Sequence, residues 1–258
     1  MKGSLKQLAL LGSIVFLSLA VGVRAAHLIP AGTVLPVRLN STVSSASSYR
    51  GQIITARVMQ DVPLPGDETI RAGAKVVGHV VNVNAASPVS LSSVSLEFDT
   101  LEIRGEKIAI TTNLRAIASF VAVEQAQVPY AGPDRGTPDY ASTTVQIGGE
   151  TVYRGGGQVE GTNGTAGEPV AGGVLGRLQA NSEAGCRDST NSNDALQALW
   201  VFSSNACGAY GLPNLMIRHT GSAAPAGEIR FDSTKGPVNI PAGAGLLLRV
   251  NNPGISGA

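Results

Sequence analysis

Aromatic residues are scarce in this chain: phenylalanine, tryptophan and tyrosine make up 4% of it, with a single tryptophan. Large aromatic rings dominate recognition surfaces, so that scarcity argues against a sugar-cleaving cleft. Charge is sparse as well, at 14%, and no basic run of the kind that grips nucleic-acid phosphates occurs. The three histidines, His27, His79 and His219, lie far apart, and no His-Glu-x-x-His run exists, which leaves no histidine metal motif. Two cysteines, Cys186 and Cys207, are too few for a multi-cysteine metal framework. The chain also lacks a Gly-x-Ser-x-Gly elbow and a phosphate-binding Gly-x-x-x-x-Gly-Lys loop, the marks of serine hydrolases and nucleotide sites. Glycine is what the chain has in quantity, 32 residues of it. That composition suits short strands joined by many turns.

The first residues read as an export signal. Lys2 and Lys6 precede an apolar run from Leu8 to Val23, and Val23-Arg24-Ala25 fits a small-x-Ala cleavage site. Residues 1–25 are therefore expected to be a signal peptide, with the mature chain starting at Ala26. Cleavage there leaves 16 basic against 18 acidic residues, a balance far from that of a nucleic-acid binder. No second apolar run reaches spanning length, so no transmembrane helix is expected in the mature chain. In an exported protein, two cysteines about 20 residues apart are read as a disulfide pair, Cys186–Cys207, ahead of a metal pair.

A twelve-residue phrase occurs near both ends. It runs from Ile29-Pro30-Ala31-Gly32 to Asn40, and again from Ile240-Pro241-Ala242-Gly243 to Asn251. A looser copy, Ile70-Arg71-Ala72-Gly73, lies between them. Pro followed two places on by Gly predicts a tight turn, with proline at the second turn position and glycine at the fourth. Alternation then predicts strands in which Leu35, Val37 and Leu39 share one face, as do Leu246, Leu248 and Val250. Further strands are expected over 51–59, 75–83, 95–103 and 107–112, with Arg104-Gly105-Glu106 as a compact hairpin connection. Residues 127–173, rich in Gly and Pro, read as a flexible segment. Beyond it, Asn193 or Asp194 could cap a short helix carrying Leu196, Leu199 and Trp200. Strands return over 215–219, 228–232 and 245–250. The division is thus a β domain over 26–126, the flexible segment over 127–173 and a C-terminal β module over 174–258, whose last strand could complete the first domain.

The segments Leu28 to Thr33, Gly51 to Ala56 with Asp61-Val62, Ile70 to Ala74, and the strands flanking Arg104-Gly105-Glu106 resemble the TrbI-like family, the β-barrel channel component of conjugation and type IV secretion machines. The closing Ile240 to Val250 strand looks like the last strand of such barrels. The resemblance implies an all-β barrel or sandwich, an address in the bacterial envelope, and envelope proteins or further copies of the chain as partners. No cofactor or metal is expected, since no ligand motif for one is present.

Two groups of residues could carry chemistry or binding. Glu97 and Asp99 share a strand face, an arrangement that glycosidases use, although a solvated strand face is the plainer reading. Trp200, Phe202 and Tyr210 cluster beside the expected disulfide, either as a ligand-binding surface or as core packing. The expected role is non-enzymatic and structural in the cell envelope: periplasmic, outer membrane-associated or extracellular. A secreted glycan- or peptide-binding module is the alternative.

Overall fold

All three copies of the phrase fold into the same device. In each, the residue after glycine donates its N–H to the carbonyl three places back: Thr33 to Pro30 at 3.2 Å, Ala74 to Arg71 at 3.2 Å and Ala244 to Pro241 at 3.2 Å. The glycines take left-handed φ values of 91°, 92° and 86° at Gly32, Gly73 and Gly243. Glycine is therefore third in the turn and Pro30 or Pro241 first, which is type II geometry. The expected placement of proline second and glycine fourth is corrected accordingly. A left-handed third position is what selects glycine, whereas the first position needs only a free carbonyl, which Arg71 supplies as well as proline does.

Each turn brackets a neighbouring strand. Gly32 N–H reaches Val250 O at 2.7 Å, Gly243 N–H reaches Leu39 O at 2.8 Å, and Gly73 N–H reaches Val58 O at 2.8 Å. The isoleucine that opens each copy (Ile29, Ile70 and Ile240) is fully buried in the main core. A Cβ on Gly73 would meet nothing within 4 Å. Gly73→Ala should thus cost only the backbone strain, about 1 kcal/mol, as measured by chemical denaturation.

The computed structural model describes residues 29–129 (except 86, 88 and 89), 143–179, 195–218 and 227–256. The signal segment lies outside them. Strands β1 (Val34–Leu39), β2 (Ile53–Val58), β3 (Lys75–Asn84), β4 (Ser92–Ile103) and β5 (Glu106–Ala118) come first, followed by the helix α1 (Phe120–Gln127). Then come β6 (Thr143–Val145), β7 (Thr151–Tyr153), β8 (Gln158–Gly161), β9 (Gly164–Val170), β10 (Gly173–Gly176) and β11 (Gln197–Ala198). β12 (Gly208–Tyr210), β13 (Leu215–Arg218), β14 (Ile229–Ser233) and β15 (Gly245–Ser256) follow, and the two-residue strands Val43–Ser44 and Asn239–Ile240, and Val62–Pro63 and Thr69–Ile70, form two small ribbons.

Six strands close into an antiparallel barrel in the order β5-β15-β1-β2-β3-β4, with β4 returning to β5. The two full copies of the phrase lie side by side in it, Leu35 opposite Leu248 and Val37 opposite Leu246. The last strand therefore does complete the N-terminal barrel. β14 and β13 extend the sheet from β4, and β12 pairs parallel to β5. Between β4 and β5, Arg104 and Gly105 both take positive φ, 51° and 85°, which makes a two-residue hairpin turn; Glu106, read as part of that connection, already belongs to β5. The alternation also holds. Leu35, Val37, Leu39, Leu246, Leu248 and Val250 join Leu96, Phe98 and Phe231 in one buried cluster.

β1, β5 and β15 are dry on their outer side too. Val34, Ala116, Ala118 and Leu247 pack against α1 and residues 199–202 in a second core. The second copy has Gly245 where the first has Val34. A Cβ on Gly245 would lie 2.8 Å from Val123 and 3.1 Å from the Trp200 ring, so this difference between the copies admits α1 and the aromatic side chains.

Residues 143–173 of the segment expected to be flexible instead form, with 174–176, the meander β6 to β10, extended by β11 into a six-stranded sheet. Their glycines serve close approach. A Cβ on Gly167 would run into the Leu175 carbonyl, and one on Gly176 would lie 2.8 Å from Leu199 Cδ1. The helix expected after Asp194 is also absent from the described residues there. Asn193 and Asp194 lie outside them, while Gln197–Ala198 is strand and Leu199 to Asn205 is an irregular loop. The one described helix, α1, starts where Ser119 Oγ accepts the Ala122 N–H at 3.2 Å.

Candidate functional site

Two buried amides tie the second sheet to the barrel: Gln197 of β11, whose Oε1 accepts the Val34 N–H at 3.2 Å, and Gln60. Gln60 follows β2 and is 1% exposed. Its Nε2 donates to Val174 O at 2.9 Å, and its Oε1 accepts from Val174 N at 3.2 Å and from Trp200 N at 2.7 Å. The side chain thus pairs with β10 as a neighbouring strand would. Gly173 leaves the room for it, since a Cβ there would lie 2.6 Å from Trp200 Cα. Trp200 itself sits at φ 52°, a backbone state that a bulky residue adopts only when its surroundings impose it.

The loop after Trp200 is held from both sides by groups of opposite charge. Glu150, 3% exposed, accepts the Ser204 N–H at 2.9 Å and also the Ser204 hydroxyl. Arg115, 7% exposed, donates Nε to Ala206 O at 2.9 Å and Nη2 to Ser204 O at 3.1 Å. Gln146 Nε2 donates to Phe202 O at 2.6 Å. The carboxylate takes the loop's donors and the guanidinium its acceptors, so both buried charges are compensated by hydrogen bonds.

Two cavities flank the β9–β10 hairpin. One, of about 520 Å³, is bounded by Met59, Pro63, Ala72, Val170 and Leu175, with Asp61 at its wall. The other, of about 280 Å³, is bounded by Gln127, Thr144, Gln146, Arg154 and Trp200. Asp61 also secures the third copy of the turn, accepting Ala72 N–H at 2.8 Å and Arg71 Nη1 at 2.7 Å. These bonds, the backbone one foremost, hold its carboxyl below the ordinary aspartate range. A depressed native pKa contributes stability above the unfolded-state value, and that contribution disappears as pH falls through the native one. The wild type should lose stability below about pH 4 more steeply than Asp61→Asn does, as seen in paired acid titrations of unfolding.

Trp200 and Phe202, expected as a binding surface or as packing, are buried in the second core with ring centroids 6.5 Å apart at 66°, and Tyr210 packs half-buried against the same core. The trio packs together in and against the second core, and Trp200 also borders the smaller cavity. Tyr210 OH accepts the Cys207 N–H at 3.0 Å. Cys207 is buried and no described cysteine is free, while its expected partner Cys186 lies outside the described residues. On the outer face of the barrel, His79 Nδ1 lies 2.9 Å from Asp99 Oδ2 and His79 Nε2 lies 3.7 Å from Glu97. That cluster stands on a half-exposed strand face. His27 and His219 lie outside the described residues. Among the described residues no group of three His, Cys, Asp or Glu side chains is arranged to hold a metal, and no helix is long and apolar enough to cross a membrane.

Gln60, Arg115, Gln146 and Glu150 were invisible in the sequence. Each is a single polar residue with no recurring spacing, and its partners, backbone groups for the most part, lie far along the chain. No family model matches this chain, and no curated protein or solved structure shows significant similarity to it.

Proposed function

We propose that this is an exported, non-enzymatic β-barrel protein of the cell envelope with a structural, assembly or interaction role, built on a TrbI-like plan. The observation that carries this reading is the barrel closed by two neighbouring copies of one turn-and-strand phrase. The signal-like start and the sequence resemblance support it. The Cys186–Cys207 bridge belongs to the same proposal, since an oxidising compartment is where such a pair persists. The test is crosslinking of the full-length chain in its own cells, followed by fractionation and intact mass. The expected result is a chain beginning at Ala26, in the envelope fraction, joined to discrete envelope proteins or to itself. A cytoplasmic chain retaining its first 25 residues would contradict the proposal.

The cavity beside Trp200 favours a second reading, a glycan- or peptide-binding module. Its polar wall of Thr144, Gln146 and Arg154 beside Trp200 is a pattern that small polar ligands use. Trp200 fluorescence titrated with envelope glycan fragments should then respond in the wild type and fail to respond in Arg154→Ala. A flat titration of the wild type removes this reading.

A further inference from the structure

A third cavity, of about 500 Å³, lies where β13 and β14 join the barrel, and Asn84, Ser93, Arg218, Arg230 and Asp232 line it. Arg218 and Arg230 are directly opposite each other across these two strands. Like charges at paired positions repel, so the arrangement needs an anion. One is built in. Asp232, 1% exposed, accepts Arg218 Nε at 2.6 Å and Arg230 Nε at 3.0 Å. Among the described residues, a single carboxylate between two guanidiniums leaves one positive charge over in a concave site. Each arginine engages Asp232 through Nε alone, and among the described residues no hydrogen bond occupies its two Nη groups. Around them stand the Ser93 hydroxyl and the Asn84 amide, which are joined at 3.0 Å.

We infer that this cavity binds a phosphoryl group, with Arg218 and Arg230 as its ligands and Asp232 as the positioning residue between them. The donors exceed what the two oxygens of a carboxylate accept, and a phosphoryl group offers three oxygens to the same forks. The paired Nη edges of arginine match that geometry as lysine would not. Burial works to raise the Asp232 carboxyl, but the two guanidinium bonds outweigh it and keep it below the ordinary range. Asp232 therefore stays ionised and the triad keeps a net charge of one. This inference does not depend on the envelope role.

The test titrates the mature protein with inorganic phosphate, and separately with acetate, at constant ionic strength. Binding is read by calorimetry and by the shift in Tm. Wild type should bind phosphate saturably at low millimolar concentration, and Arg218→Gln and Arg230→Gln should each weaken it about tenfold or more. Arg230→Lys should recover only part of the loss. Should either glutamine variant fold poorly, Ser93→Ala, which leaves the triad intact, should still weaken phosphate roughly threefold, in line with one neutral hydrogen bond. Arg71→Gln, at a surface pair elsewhere, should bind as wild type does. Absence of saturation by about 10 mM phosphate, equal affinity in wild type and variants, or acetate binding as tightly as phosphate would each overturn the inference.

Discussion

Gly173→Ala should release the second sheet from the barrel and cost about 3–5 kcal/mol, because one methyl would both overpack the junction and break its hydrogen bonds. The added carbon would collide with Gln60 Oε1 and lie 2.6 Å from Trp200 Cα. Gln60 cannot swing away without surrendering three bonds to Val174 and Trp200, all of them buried. Trp200 cannot move without leaving the left-handed φ that the Gln60 bond holds in place. Gln60→Ala attacks the same contact from the other side and leaves the Val174 and Trp200 amides without partners. It should cost about 3 kcal/mol, and the double variant should cost less than the sum, since both changes remove one interaction. Trp200 is the only tryptophan, so its fluorescence during denaturation reports the junction directly. Hydrogen exchange should show β7 to β10 losing protection before the barrel strands do. A Gly173→Ala loss below about 1 kcal/mol would mean that the junction does not hold the sheet.

Gly78→Ala is the second large effect, and it acts on the barrel itself. Gly78 sits on β3 at the register shift opposite Phe98. A Cβ there would run into the Glu97 carbonyl and lie 2.9 Å from Phe98 Cα. Both are backbone atoms of the adjacent strand, so no rotamer change relieves the clash. The strands must separate, or Phe98, fully buried in the main core, must leave its place. The expected cost is about 4 kcal/mol or more, seen as a collapse of the denaturation midpoint or as insoluble protein. Gly66→Ala is the control. Gly66 has φ 76°, and an added methyl would meet nothing within 4 Å, so this variant should cost about 1 kcal/mol. If the two variants lose similar amounts, the close β3–β4 approach is wrong.

The barrel was legible where alternation and turn chemistry agreed. The strand read over 75–83 spans Lys75–Asn84, and the one read over 95–103 spans Ser92–Ile103. β3 alternates between core and more exposed positions, and β4 does so only beyond Leu96, since Ser92 to Leu96 are buried on both faces. The pairing of the two repeated phrases with each other was not legible, because identical strands can close one sheet or lie in two. The meander escaped for a different reason. Its buried apolar set is only Val152, Val159 and Val174, too few to give a period. Its glycines, which permit backbones to touch, look in sequence like glycines that permit backbones to bend. The misplaced helix shows tertiary structure overriding a local signal. Asn193 and Asp194 offer good caps, yet Gln60 draws the backbone at Trp200 into a state no helix allows. The helix that does form has its signal in Ser119, obscured by the β-branched Val121 and Val123 and by the strand running up to Ala118. Arg218 and Arg230 had no signal, since their meeting depends on the register of two short strands.

The most direct test of the envelope role is the native mass of the protein, extracted gently from its own envelope fraction. A discrete assembly of many copies, or a defined complex with other envelope proteins, is the predicted result. A soluble monomer would contradict the structural role and leave the binding module as the better account.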